Sequence, residues 1–434
     1  MLNSIFLERR ESLIKQLEPN SIAILKAAPT THKSHDIEFT YRQDPNFYYL
    51  TGYEQPHAIA IIAPKRIEGD FILFIREQDP KQVQWVGSHM TAQNIKENYG
   101  VKEIFPMHEF IDMLPTLLDG HKHVYYSENH LNDVSSHIFN AIGRLKKCRK
   151  IGAHPPDHFI DLNKIIHEMR LIKSKEEIEL LKKAADITSQ AHISAMKYCK
   201  PNLYEYELRA EIIHTFYKNG ASDEAFPTTV AGGGNACTLH YTQNNQPLKN
   251  HTLVLIDAGA EYKHYNSDLS RTFPVNGQFT KYQREVYNIV LKTQQSVIQL
   301  IKPGINLNDL QELAIYQLTQ GLIHIGLLTG SVHHAIETKA YKRFYMHSVS
   351  HWIGLNVHDN SAYKIDGHWR TLKSGMVLTV EPGLYIPNDT DIEIHWRGMG
   401  IRIEDVVLVS DAGYEVLTHQ APKTIEEIEK LMRS

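Results

Sequence analysis

Two kinds of apolar spacing alternate along this chain. In the first 150 residues the runs SIAILKAA, HAIAIIAPK and FILFIREQ are short and bounded by turn formers, which predicts strands. A turn at Glu68-Gly69-Asp70 joins the last two. Helical spacing occupies residues 4–17, 91–98, 108–118 and 129–147, with the strand HVYYS between the last two helices. Strands alternating with helices predict an α/β domain. The segment IGAHPPDHF (151–159) is rich in turn formers and reads as a connection.

Beyond it the helices lengthen. One spans about 161–171, and the next starts at a capping box in which Ser174 caps and Glu177 lies three residues on. Ile178, Leu181 and Ala185 recur at helical spacing until Pro201 stops the pattern. Further helices are predicted over 204–218, closed by Gly220, over 280–302, closed by Pro303-Gly304, and over 308–320. The run LIHIGLL (322–328) reads as a helix end or buried segment. Strands fall at 252–258, 376–380, 384–386 and 400–409. The expected class is α/β (α+β) in two domains, an N-terminal α/β domain over 1–168 and a C-terminal domain over 169–434.

Composition narrows the function. The 434 residues, 42% hydrophobic and 22% charged, are those of a soluble globular protein. A formal charge of -4 gives no reason to expect nucleic acid, and the basic run Arg144–Lys150 reads as the end of a helix. No apolar stretch reaches the ~20 residues of a membrane span. Cys148, Cys199 and Cys237 are an odd number without metal-type spacing, and the N-terminus lacks a signal-peptide core. The expectation is a cytoplasmic protein.

Five residues in the C-terminal half stand out. LVLIDAG holds Asp257, YNSDLSRTF holds Asp268, VSHWIG holds His351, VLTVEPGLY holds Glu381 and GIRIEDVVLV holds Glu404. Each acid lies in or beside an apolar run, where an uncompensated charge is costly. Taken singly, an Asp after a strand is usually a turn or cap, and Glu-Pro-Gly is usually a turn. Together they suggest two hairpins that point four carboxylates into one crevice, joined by His351 from a separate loop. Clustered carboxylates repel, and two divalent ions would cancel the four charges. An oxygen-rich set with one imidazole and no thiolate suits manganese, cobalt or iron better than a thiolate-type zinc site.

The segments LIDAGAEYKHYNSDLSRTFPVNG, MHSVSHWIGLNVHD, LTVEPGLYI and GIRIEDVVLV resemble the M24 metallopeptidases of the pita-bread fold. RQDPNFYYLTGYEQPHA resembles the N-terminal domain carried by the bacterial aminopeptidase P branch of that family. The resemblance implies metal binding by Asp257, Asp268, His351, Glu381 and Glu404, with Asp268 and Glu404 bridging two ions. Manganese is the first choice, ahead of cobalt, iron or zinc. It implies that Glu381 handles the proton of the attacking water. His240, His347 and His358 would hold the substrate and line the scissile bond, with Tyr385 and Arg402 beside them. Ser348 departs from the glycine often found after the histidine at position 347.

The resemblance further implies hydrolysis of the first bond of peptides with proline second. It implies a homo-oligomer, dimer or tetramer, in which Trp85 is a candidate contact; a buried or surface-packed side chain is the plainer expectation for Trp85. Two alternatives stay open: a dipeptidase restricted to Xaa-Pro, and a pita-bread module that binds peptides without catalysis. The run Gly232–Gly234 lacks the ending of a phosphate loop and reads as a tight turn leading to His240. His333, His334 and His368 are expected to be structural.

Overall fold

The computed structural model describes residues 2–64, 66–77, 83–87, 90–127 and 133–433. Two compact units divide the chain, Met1–Arg170 and Leu171–Ser434.

In the first unit, the predicted apolar runs become β1 (Ser21–Lys26), β2 (Ile59–Ile62) and β3 (Phe71–Ile75), joined by β4 (Glu103–Pro106), β5 (His123–Tyr126) and β6 (His158–Asp161). They form one mixed sheet in the order β4-β3-β2-β1-β5-β6. β2 lies antiparallel to β1 and β3, whereas β5 runs parallel to β1. Alternate residues Ile22 and Ile24, Ile59 and Ile61, Ile72 and Phe74 face one apolar layer with the helices Phe110–Leu118 and Asp133–Lys147. The connection predicted over 151–159 in fact runs into β6. That strand sits at the sheet edge, and three of its four residues are exposed, so it carries no apolar signal. Trp85, expected to be buried or packed on the surface, is instead 86% exposed. The start of the helix predicted over 129–147 lies outside the described residues.

The second unit opens with the helix Lys175–Tyr198, capped as the sequence predicts. Ser174 Oγ accepts from Glu177 N at 3.3 Å, and Glu177 Oε2 accepts from Ser174 N at 3.0 Å. The same device starts Lys281–Leu300 (Thr280 with Gln283) and Leu307–His324 (Asn306 with Asp309). The strands β7 (Thr229–Gly232), β8 (Leu253–Asp257) and β9 (Ser270–Pro274) form an antiparallel sheet with β8 central. β10 (Val377–Val380) and β11 (Gly383–Ile386) continue one another across Glu381-Pro382. β12 (Met399–Arg402) and β13 (Asp405–Ser410) continue one another across Ile403-Glu404. β10 pairs with β13, and β11 pairs with β12.

The segment predicted as one strand over 400–409 is thus two, and the break falls on Glu404. β8 is buried on both faces. Val254 and Ile256 join the main core, while Leu255 packs with Tyr385 and Tyr241. Coverage of both faces explains why LVLI reads as an unbroken apolar run. Among the described residues no helix is long and apolar enough to cross a membrane.

Candidate metal centre and active site

Strand ends and strand breaks deliver the acids. Asp257 is the last residue of β8 and lies opposite Ser270, the first of β9. Asp268 precedes β9 by two residues. It is held close because Gly259 lets the chain fold back: a Cβ there would stand 1.8 Å from Ser267 O. Glu381 and Glu404 occupy the two breaks, where pairing stops and a side chain can turn inward. Glu404 N donates to Ser270 O (3.1 Å), and Glu381 N donates to Val349 O (2.8 Å).

The second of these bonds also places the histidine. Thr379 N donates to His351 O at 2.9 Å and His351 N donates to Thr379 Oγ1 at 3.1 Å, so the 349–351 segment lies along β10. His351 Nδ1 bonds Trp352 O at 3.0 Å, which assigns the proton to Nδ1 and turns the lone pair of Nε2 to the acids. Nε2 lies 3.4 Å from Asp268 Oδ2 and 3.5 Å from Glu381 Oε1. Asp268, His351 and Glu404 each bring a ligand atom within 4.8 Å of the others.

Arg402 ties the centre to its surroundings. Its guanidinium donates to Asp257 Oδ2 (2.6 Å), Tyr385 OH (2.9 Å) and Ser270 Oγ (2.8 Å). Ser270 Oγ donates to Glu404 Oε2 at 2.7 Å. The Tyr385 hydroxyl, receiving from Arg402, donates to His347 Nε2 at 2.9 Å, and His347 Nδ1 donates to Ser348 O at 2.8 Å. One polar chain therefore runs from the acids to His347. His358 packs edge-on against His351 with ring centroids 4.3 Å apart.

Of the ten residues singled out from sequence, nine line one cavity of about 540 Å³. Tyr385 is the tenth and sits behind His347. His333, His334 and His368 do not line it. Asp257 Oδ1, Asp268 Oδ1 and Glu404 Oε1 are buried without a hydrogen-bond partner. Buried carboxylate oxygens left this way are expensive unless something cationic meets them. The donor set of four carboxylates and one imidazole fits hard divalent ions.

Residues 179–411 match the model of metallopeptidase family M24, and residues 6–125 match the aminopeptidase P N-terminal domain. The chain belongs to family M24. The Xaa-Pro aminopeptidase of Escherichia coli K12 is 40% identical over 428 residues, covering 98% of this chain and 97% of that protein. The structure of a Pseudomonas aeruginosa aminopeptidase superposes with a TM-score of 0.97 at 42% identity, covering 99% and 98% of the two chains. A zinc-substituted E. coli aminopeptidase P in complex with product superposes with a TM-score of 0.95 at 39% identity, covering 99% and 98%. Membership of M24 implies divalent metal ions, and the expected pairing of an N-terminal α/β domain with the M24 fold is borne out.

Electrostatics in this M24 site follow from crowding. Burial first, then Asp257 and Glu381, hold the Asp268 carboxyl well above its ordinary value. Burial first, then Asp268 and Glu381, do the same to Glu404. Burial lowers His347 and His358, which favours neutral rings with one donor each. Burial raises Tyr385 to about 12, keeping its proton available to His347.

Sequence reasoning missed Ser270 and Thr379. Each lies two positions from an acid, Asp268 and Glu381, in the strand that adjoins it. It also missed the apolar wall of Phe226, Leu239, Val357 and Tyr363. These come from three loops and share no spacing.

Proposed function

We propose that the protein is a metal-dependent exopeptidase that removes the first residue from peptides whose second residue is proline. The observation that carries this is the convergence of Asp257, Asp268, His351, Glu381 and Glu404 on one cavity, three of them with a buried carboxylate oxygen that lacks a partner. The full-length similarity to proteins named Xaa-Pro aminopeptidase supports the substrate class.

The five side chains would hold two divalent ions. Manganese is preferred over cobalt, iron or zinc for an oxygen-rich set. When bound, such ions supply Lewis acidity and a water acidified toward neutral pH. Glu381 is partly exposed at the cavity wall, where Oε1 accepts from Thr379 Oγ1 at 3.4 Å. It accepts the proton of the attacking water. It then delivers that proton to the leaving nitrogen, which is a tertiary amide without hydrogen and must be protonated to depart.

Neutral His358 donates to the developing oxyanion, with His240 as the alternative donor. His347, fixed by Tyr385 and Ser348 O, forms the wall on which the pyrrolidine ring rests. Asp257 receives the free amino terminus, which restricts the enzyme to chain ends. Arg402 holds Asp257 and Tyr385 in register with each other.

We further place the enzyme in the cytoplasm, in keeping with three free cysteines of which Cys148 is exposed. We propose a homo-oligomer, dimer or tetramer, with exposed Trp85 at a contact. Light scattering on the wild type and on Trp85→Ala checks this, and a monomeric wild type would refute it.

The deciding assay offers manganese-loaded protein Xaa-Pro, Xaa-Pro-Xaa and Xaa-Ala-Xaa peptides. The expected outcome is release of the first residue from Xaa-Pro-Xaa, loss of activity with chelator and recovery with manganese. Cleavage of Xaa-Pro alone would make the protein a dipeptidase, and no cleavage with metal bound would reject the reading.

A further inference from the structure

Glu205 is an acid that the mechanism above does not use. It is 0% exposed and opens the helix Glu205–Lys218. Its carboxylate is held by four donors, two to each oxygen. Oε1 accepts from Gly232 N (2.8 Å) and Asn235 Nδ2 (2.9 Å). Oε2 accepts from the Tyr241 hydroxyl (2.8 Å) and Gln246 N (2.9 Å). The Glu205 backbone N adds a bond to Gln246 O at 3.0 Å. At Gly232 a Cβ would stand 2.8 Å from Leu248 Cδ2 and 3.4 Å from Glu205 Oε1, so the glycine permits the approach.

All four donors belong to the segment between the end of β7 and residue 246. That segment carries Leu239, His240 and Thr242, which line the cavity. Tyr241, the immediate neighbour of His240, is itself buried and bound to the carboxylate. The segment has little regular structure beyond the 3-10 turn Gly233–Cys237, so its own backbone does not fix its path. A group that only accepts, reached by donors from four points of the loop, does fix it.

We infer that Glu205 is a positioning residue that shapes the His240 loop and thereby sets the grip on the peptide, leaving the metal ligands alone. This rests on the functional reading given above. None of the four donors is a metal ligand, so metal content and peptide recognition separate cleanly.

The test is a double-mutant cycle in the full-length, manganese-loaded enzyme on a Xaa-Pro-Xaa peptide. Glu205→Gln replaces one oxygen by an amide nitrogen, which must then face an N–H or force the loop to shift. The expected result is a kcat/KM lower by at least roughly tenfold, mostly in KM, with unchanged metal content. Combined with His240→Ala, the same change should cost less than about threefold, because both substitutions act through one contact. An undiminished kcat/KM overturns the inference, and so does an equal loss in both backgrounds, which is what a merely structural role gives. Should Glu205→Gln not fold, Tyr241→Phe removes one donor and keeps the ring. It should raise KM in the wild-type background and not beside His240→Ala, and wild-type kinetics would overturn the inference. An inactive wild type would sink the functional reading itself, before any variant is compared.

Discussion

Replacing Asp268 by Asn should have opposite effects on the protein with and without metal. Asp268 and Glu404 place ligand atoms within 4.8 Å of each other in a buried site. Two unit charges at that distance repel by about 3 kcal/mol at an effective dielectric constant of about 20. Arg402 offsets part of this. After chelation at pH 7, Asp268→Asn should therefore be more stable than the wild type by about 1–3 kcal/mol. With manganese the order reverses, because the variant has lost a ligand and forgoes the stabilisation that binding supplies.

The pH dependence has a definite sign. The folded Asp268 carboxyl titrates above its ordinary 3.8, so the folded state holds protons that the unfolded chain has released. The penalty is absent below that ordinary value and grows as pH rises through the raised one. The advantage of the variant after chelation should shrink from pH 7 to pH 5. Urea unfolding followed by tryptophan emission reads it, since Trp352, Trp369 and Trp396 all lie in the second unit. A chelated variant less stable than the wild type at pH 7, or a difference unmoved by pH, would refute the picture of mutually repelling acids.

Glu381→Ala should lower kcat about 10²–10⁴-fold and weaken metal retention, read by steady-state kinetics with metal analysis; near wild-type turnover would remove its role as the proton carrier. Lys173→Met removes one ion-pair contact of Asp359, where Nζ lies 3.6 Å from Oδ2 and both side chains are almost fully buried. Unfolding measurements should show a loss of about 1–3 kcal/mol, and wild-type stability would contradict it. Burial lowers His192 from 6.5 to about 4, with Nε2 donating to Ala258 O at 3.2 Å. Its share of stability is intact above pH 6.5 and is lost as pH falls toward 4, roughly 3 kcal/mol in all. His192→Gln should flatten the stability profile between those values, and an unchanged slope would contradict the assignment.

The fold was legible wherever burial was one-sided or chain punctuation was strong. Ser174, Thr280 and Asn306 all cap helices at the positions where the apolar period begins. The edge strand His158–Asp161 escaped because its side chains face solvent, and Pro155-Pro156 just before it reads as a loop. The break at Glu404 escaped because IRIEDVVLV alternates smoothly, and only pairing with two different strands divides it. The four acids and His351 were visible because each lies in or beside an apolar run. His351 shares no local pattern with Glu381; the hydrogen bonds that lay residues 349–351 along β10 bring them together. Glu205 gave no signal at all, since its four donors are distant or irregular in sequence.

The most direct measurement is anomalous diffraction at the manganese edge from crystals grown with that ion. Two peaks per chain are expected, both between the side chains of Asp257, Asp268, His351, Glu381 and Glu404. A single peak elsewhere, or none at saturating manganese, would contradict the claim that these five residues hold a pair of ions.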